Sequence, residues 1–345
     1  MSLILAMALL GAPQEKAEAL PVRGLHVGAP AKRDVDAFTA FVRDALAKEG
    51  VNTLILEFNF SFNFTSRAEF ASPGAPGKDD VAKIVKACKE SGIALIPQVN
   101  CLGHQSWAKR NGAFLSKHPE FDETPGKFPE NKDLYCRSWC PLHPQVHEVL
   151  FSLVDELAAA CDAKAFHVGM DEVFIVADKD CPRCGGKDPA EIFAGEVTLL
   201  HDHFKKSGLR MWMWGDRFID GKATGIGKWE ASENGTAAAV DKVPKDIVIC
   251  DWHYEKAHET PRFFAEKGFD VVACPWRKES VALAQLSQVR SLKATGHALG
   301  VVQTTWCGFA PFRDALAADD AKATGSAAGA ARCFRALFKA LREGN

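Results

Sequence analysis

Short apolar runs rich in Val, Ile, Leu and Trp recur along the chain, and each gives way to a stretch whose apolar residues repeat every three or four positions. The runs occupy 22–28 (VRGLHVG), 52–59, 93–100, 165–171, 210–216, 246–253, 270–276 and 299–306. Their length and β-rich composition predict buried strands. The stretches between them include RDVDAFTAFVRDALAKEG (33–50), DDVAKIVKACKESG (79–92) and QVHEVLFSLVDELAAACD (145–162). They have the helical period, and several close on Gly, where a helix C-cap sits.

Eight strand–helix units in about 320 residues predict one α/β domain over 20–345, a (β/α)8 TIM barrel. A doubly wound sheet would want a Gly-rich phosphate turn after the first strand, and GLHVGAPAKRD supplies none. The segment 102–143 is a long excursion after the third strand, rich in Pro, Gly, His and charge. On the C-terminal face of a barrel, loops of this length serve the site. Ahead of the first strand, Leu3 to Leu10 is a short apolar run followed by small residues, the outline of a signal peptide over 1–19. It predicts an extracytoplasmic protein, periplasmic or secreted, although no basic residue precedes the run and a cytoplasmic location stays open. The run is too short to span a bilayer.

Composition narrows the partners. The net charge of −2, with basic residues scattered, carries no nucleic-acid footprint. No membrane partner is indicated, and the sequence is silent on oligomeric state. Eleven Cys is an odd number, so at least one thiol lacks an intramolecular partner. Cys88, Cys250, Cys274 and Cys307 sit in apolar contexts and read as small core residues. Cys136 with Cys140 and Cys181 with Cys184 form two close pairs. Local disulfides, free thiols and a four-thiolate structural metal all remain open for them.

In a TIM barrel the reactive groups stand at the C-terminal ends of the strands. Those positions hold Glu57 and Asn59, Asn100 and His104, Asp171 and Glu172, Trp214 and Asp216, Trp252 and Tyr254, Trp276, and Trp306. Carboxylates and amides that bind hydroxyls, set among flat indoles that cover C–H faces, fit sugar recognition. His167, Gly169 and Asp171 share the inward face of their strand, and a turn at its end lets Glu172 reach the same pocket. Adjacent carboxylates repel, which raises the pKa of one and keeps a proton on it near neutrality. Trp212, one period deeper than Trp214, reads as core, and Trp139 as the pin of its loop. The i,i+2 His pair of HDHF (201–204) splays apart on a helix and makes no metal site.

HVGMDE (167–172) resembles the His-x-Gly-x-Asp-Glu signature of glycoside hydrolase family 20, the β-N-acetylhexosaminidases. IPQVNCLGHQSW is similar to that family's segment ending in Gly-His, and MWGDRF, VICDWHYE, CPWRKE and TTWCGF fall where it carries its active-site Trp strands. The likeness spans roughly 20–310 and looks closest to the small single-domain branch. It implies cleavage of terminal β-linked N-acetylhexosamine with retention, by substrate-assisted catalysis and without a cofactor or catalytic metal. Glu172 would be the acid/base and Asp171 would orient the 2-acetamido group. The resemblance also implies substrate contacts from His104, Trp214, Trp252 and Trp306. Tyr254 lies two residues beyond Trp252, on the same strand face, and is the candidate hydroxyl for the acetamido carbonyl.

The chain departs from that pattern in places. The outer-hydroxyl Arg after the first strand is missing from GAPAKRD, where Lys32 or Arg33 could substitute only out of register. The Tyr-x-Asp after the seventh strand reads Arg277-Lys278-Glu279, leaving Glu279 to replace the Asp. Gly308 stands where larger members carry a hydroxyl-binding Glu, a loss that Glu57 would offset. Trp276 completes the candidate wall. Two other readings remain: a metal-dependent barrel hydrolase using His104, His167, Asp171 and Glu172, and a sugar-binding barrel without activity.

Overall fold

The computed structural model describes residues 19–107, 110–128 and 135–344. The signal-peptide expectation for 1–19 falls almost wholly on residues outside that set. Eight strands form a closed parallel barrel: β1 Val22–Gly28, β2 Thr53–Glu57, β3 Ala94–Cys101, β4 Ala165–Gly169, β5 Arg210–Trp214, β6 Val248–Asp251, β7 Asp270–Ala273 and β8 Ala298–Thr304. Each strand pairs with the next, and β8 closes on β1 with Val22 opposite Gly300. The predicted fold is the observed one, and every predicted run contains a strand.

Helices wrap the barrel: α1 (Val35–Phe41, continuing through a wider turn to Glu49), α2 (Lys78–Glu90), α3 (Val146–Ala160) and α4 (Pro189–Lys206). They are followed by α5 (Thr260–Glu266), α6 (Glu279–Ser291), α7 (Phe309–Ala318) and α8 (Ser326–Glu343). The start of α4 illustrates the local logic. Asp188 accepts from the backbone N–H of Ala190 at 2.8 Å, and Pro189 gives up a donor that would have had no partner there.

Two expectations need correction. No long helix follows β5. The connection holds only a one-turn helix (Gly221–Thr224) and two 3₁₀ turns (Asp216–Phe218 and Thr236–Asp241). The connecting sequence is broken by Gly225, Gly227 and Gly235, all at positive φ. Most strands also stop two or three residues before the ends of their apolar runs, because the chain turns sharply where the polar groups begin.

Strand alternation divides the core in two. Leu54 and Leu56 face outward into the large core between barrel and helices. Ile55, Ile96, Trp212, Trp214, Val248, Cys250, Val272 and Val302 point inward and fill the barrel. Near its upper end, the ring of His26 lies 5.4 Å from that of Trp214, and the ring of His167 4.5 Å from the same indole. Burial pushes His26 down to about 4 and His167 well below its usual range, so both rings are neutral. This aromatic layer closes the barrel beneath the cavity described next. Among the described residues, no helix is long and apolar enough to cross a membrane.

Candidate active site

At the C-terminal mouth of the barrel is a cavity of about 680 Å3. Glu57 comes from the end of β2, Asn100 from β3, and His104 from the first turn of the excursion after β3. Asp171 and Glu172 follow β4, Trp252 and Tyr254 follow β6, Trp276 follows β7 and Trp306 follows β8. Most of these side chains stand at or just beyond the C-terminal ends of the parallel strands, where the fold gathers them at one mouth.

The backbone here is held in an uncommon conformation. Asn59, His104, Glu172 and Trp306 all line the cavity with φ between 45° and 55°. Left-handed geometry at non-glycine residues costs of order 1–3 kcal/mol each and persists only where surrounding structure enforces it. Two glycines show how tight that enforcement is. Gly169 has φ 67°, and a Cβ there would lie 2.3 Å from Asn100 Oδ1. A Cβ on Gly103 would lie 2.9 Å from the carbonyl oxygen of Asp171. The Gly-His turn and the Asp-Glu turn thus pack backbone against backbone, which fixes His104 relative to both acids.

His104 Nε2 lies 2.8 Å from Glu172 Oε2 and 3.7 Å from Asp171 Oδ2. Asp216, whose carboxylate ties the second turn together, accepts from the Glu172 backbone N–H at 3.0 Å, from Arg217 Nε at 2.7 Å and from Trp252 Nε1 at 3.3 Å. Asp171 is buried, and its Oδ1 has no hydrogen-bond partner. Tyr254 Oη accepts from Trp306 Nε1, and the Tyr254 side chain lines the cavity.

Burial dominates the electrostatics. It pushes the Glu172 carboxyl up to about 8, with the Asp171 charge adding to the effect. It also holds Asp171 well above the ordinary carboxylate range, reinforced by Asp216 and Glu57. Glu57 is raised by the same cause. His104 is lowered by burial, against the pull of Glu172. Both members of the His104–Glu172 pair are therefore driven to their neutral forms, with the proton on Glu172 donated to the imidazole.

Of the residues singled out in the sequence, Glu57, His104, Asp171, Glu172, Trp252, Tyr254, Trp276 and Trp306 line this cavity. Trp214 does not; it is fully buried in the layer below, against Trp306. Glu279 begins α6 and reaches toward Arg332 at 3.9 Å, outside the cavity. Lys32 and Arg33 are exposed, and Arg277 stacks on Trp276 at 4.2 Å from the ring centre without lining the cavity. His167 lies deeper, against Trp214, and does not gather with the acids. Cys307 lines the cavity, contrary to its reading as core.

Sequence reasoning passed over Trp107, Tyr135 and Ser326, which also line the cavity, and Arg217, which holds Asp216. Trp107 carried a signal, standing three residues beyond His104. Tyr135 carried none, because only the path of the excursion brings its ring 4.9 Å from Trp107 and 5.6 Å from Trp229.

Residues 64–322 match the description of the glycosyl hydrolase family 20 catalytic domain. The chain belongs to this family. It is 26% identical over 215 residues to a β-hexosaminidase of Vibrio furnissii, a match covering 60% of this chain and 31% of that protein. It is 24% identical over 208 residues to the lacto-N-biosidase of Bifidobacterium bifidum, covering 56% of this chain and 17% of that protein. The chain thus spans less than a third of either curated relative. Among solved structures, the family 20 chitobiase of Flavobacterium johnsoniae superposes with a TM-score of 0.63 at 18% identity, covering 93% of this chain and 51% of that one.

Proposed function

We propose that the chain hydrolyses terminal β-linked N-acetylhexosaminides with retention, using the substrate's own acetamido oxygen as nucleophile. The observation that carries this reading is the buried, unpartnered Oδ1 of Asp171, adjacent to Glu172 and walled by Trp252, Tyr254 and Trp306. A carboxylate in that position suits an acetamido N–H, and the Tyr254 hydroxyl suits its carbonyl. Family membership and the likeness to hexosaminidases support the same substrate class.

In this scheme Glu172 protonates the glycosidic oxygen as the acetamido oxygen attacks the anomeric carbon and the aglycone leaves. Asp171 accepts from the acetamido N–H and balances the positive charge on the oxazolinium ring. That charge lowers the proton affinity of Asp171 as it develops, so an acid raised by burial in the empty site is ionised when needed. Water then attacks the anomeric carbon, Glu172 takes its proton, and the acetamido group is released.

A glycoside with a 2-acetamido group and its 2-hydroxyl counterpart, both carrying the same aryl leaving group, distinguish this route from one with an enzyme-borne nucleophile. Turnover should be confined to the acetamido compound, and a thiazoline mimic of the intermediate should bind far more tightly than substrate. Equal rates on the two glycosides end this reading.

A further inference from the structure

Away from the cavity, the two close cysteine pairs are not arranged as their spacing suggests. Cys136 leaves Cys140 and joins His104 and Glu172. Cys140, Cys181 and Cys184 instead converge with Glu123, and the ligand atoms of all four lie within 4.8 Å of one another. We propose that Glu123, Cys140, Cys181 and Cys184 bind one structural zinc ion that fastens the excursion after β3 to the loop after β4. The assignment does not depend on the reaction proposed above.

The geometry fits a tetrahedral ion. Zn–S bonds of about 2.3 Å place tetrahedral sulfurs about 3.8 Å apart. Cys140 Sγ is 3.5 Å from Cys181 Sγ and 3.9 Å from Cys184 Sγ. Cys184 N–H donates to Cys181 Sγ at 3.5 Å, so the CPRC turn folds back on its first sulfur and points both thiols the same way. Glu123 is fully buried. Its Oε1 accepts from Asp178 N–H at 3.0 Å and from the Cys184 thiol at 2.7 Å, while Oε2 has no partner. A buried carboxylate oxygen without a donor is costly unless something cationic takes it.

Donor type selects the metal. Three sulfurs exclude the hard cations that prefer all-oxygen shells, and a compact S3O set suits zinc. Binding forms three Zn–S bonds and one Zn–O bond and releases three thiol protons to solvent. The resulting site carries excess negative charge, and Arg183, between the two cysteines of the turn, interacts with Cys140. All four positions are ligands from the protein, so the site is closed and structural.

Its location gives it a consequence. Glu123 and Cys140 bracket the part of the excursion that holds Tyr135, and Cys181 follows Glu172 by nine residues. Elemental analysis of the purified full-length protein should find about one zinc per chain, and X-ray absorption about three sulfurs and one oxygen around it. Cys181→Ser and Glu123→Ala should fall to about a tenth of an equivalent or less, while Cys88→Ser keeps the full complement. If the first two variants do not fold, stoichiometry and absorption on the unaltered protein still decide. Protein that stays metal-free after growth and dialysis with zinc overturns the proposal. So does a disulfide among the three cysteines in unreduced peptides, a metal other than zinc, or zinc bound by other ligands.

Discussion

The reactive chemistry is concentrated in residues whose surroundings oppose their ordinary ionisation. Glu172 is raised to about 8 by burial and by Asp171, so it keeps its proton through neutrality. The pH profile of kcat/KM, which reports the free enzyme, should therefore fall as pH rises through about 8. A limb that stays flat beyond pH 9 would remove Glu172 from the acid role. Glu172→Gln preserves shape but cannot deliver a proton, and should lower kcat about 10²–10⁴-fold. Asp171→Asn turns an acceptor into a partial donor facing an N–H, and should cost about 10²–10³-fold in kcat. Gly169 tests the backbone instead. Gly169→Ala combines φ 67° with overlap onto Asn100, so a loss of about 1–3 kcal/mol is expected in denaturant unfolding.

The elements that matter most are the loops after β3, β4 and β5. Arg137 and Asp122 form a buried ion pair within the excursion, and the Arg137 side chain also donates to the Phe128 carbonyl. Trp139, read from the sequence as a pin, is fully buried and donates to Glu196 at 3.1 Å. Removing one partner of a buried pair costs about 3–5 kcal/mol because the other charge is stranded. Arg137→Ala should thus make the excursion protease-sensitive and raise KM, while Arg137→Lys retains part of both; limited proteolysis beside steady-state kinetics would show it. Farther out, Trp107, Tyr135, Phe174 and Trp229 form an aromatic wall, with Trp107 62% and Trp229 49% exposed. Aromatic contacts of this kind are worth about 0.5–1.5 kcal/mol. Trp229→Ala should raise KM for an N-acetylglucosamine disaccharide about two- to tenfold with little change in kcat. An unchanged KM would place the leaving sugar elsewhere.

For the whole molecule, the site is a stability burden as well as a source of activity. The carboxyl of Glu172 has a folded pKa near 8 against an ordinary 4.5, so the folded state binds its proton more tightly than the unfolded chain does. The stability this contributes is complete below pH 4.5 and is lost as pH rises toward 8. His253 acts in the same direction, because Asp251 and Glu230 outweigh burial and raise it to about 9. The buried neutral imidazoles of His26 and His167 act oppositely, since below pH 6.5 the unfolded chain protonates these rings while the folded state keeps them neutral. Glu172→Gln should therefore melt higher than the unaltered protein at pH 8 and nearly alike at pH 4.5. Thermal unfolding at the two pH values measures this, and identical shifts at both would contradict the assigned titration.

The sequence by itself determined the eightfold strand–helix alternation, because period-2 and period-3.6 burial are local properties of the chain. It also identified the inward acids of HVGMDE and the Trp series, because strand ends in a barrel have one destination. It did not reveal that no long helix would follow β5, although Gly225, Gly227 and Gly235 marked the break. Only the tertiary structure decided that Trp214 is floor and Trp252 wall, since the two share an inward orientation and differ in depth. Folding also separated Cys136 from Cys140 and brought Glu123 to Cys140, Cys181 and Cys184 across two loops. Spacing along a chain limits which residues can be local neighbours, whereas contacts between loops depend on how the closed barrel orients their ends.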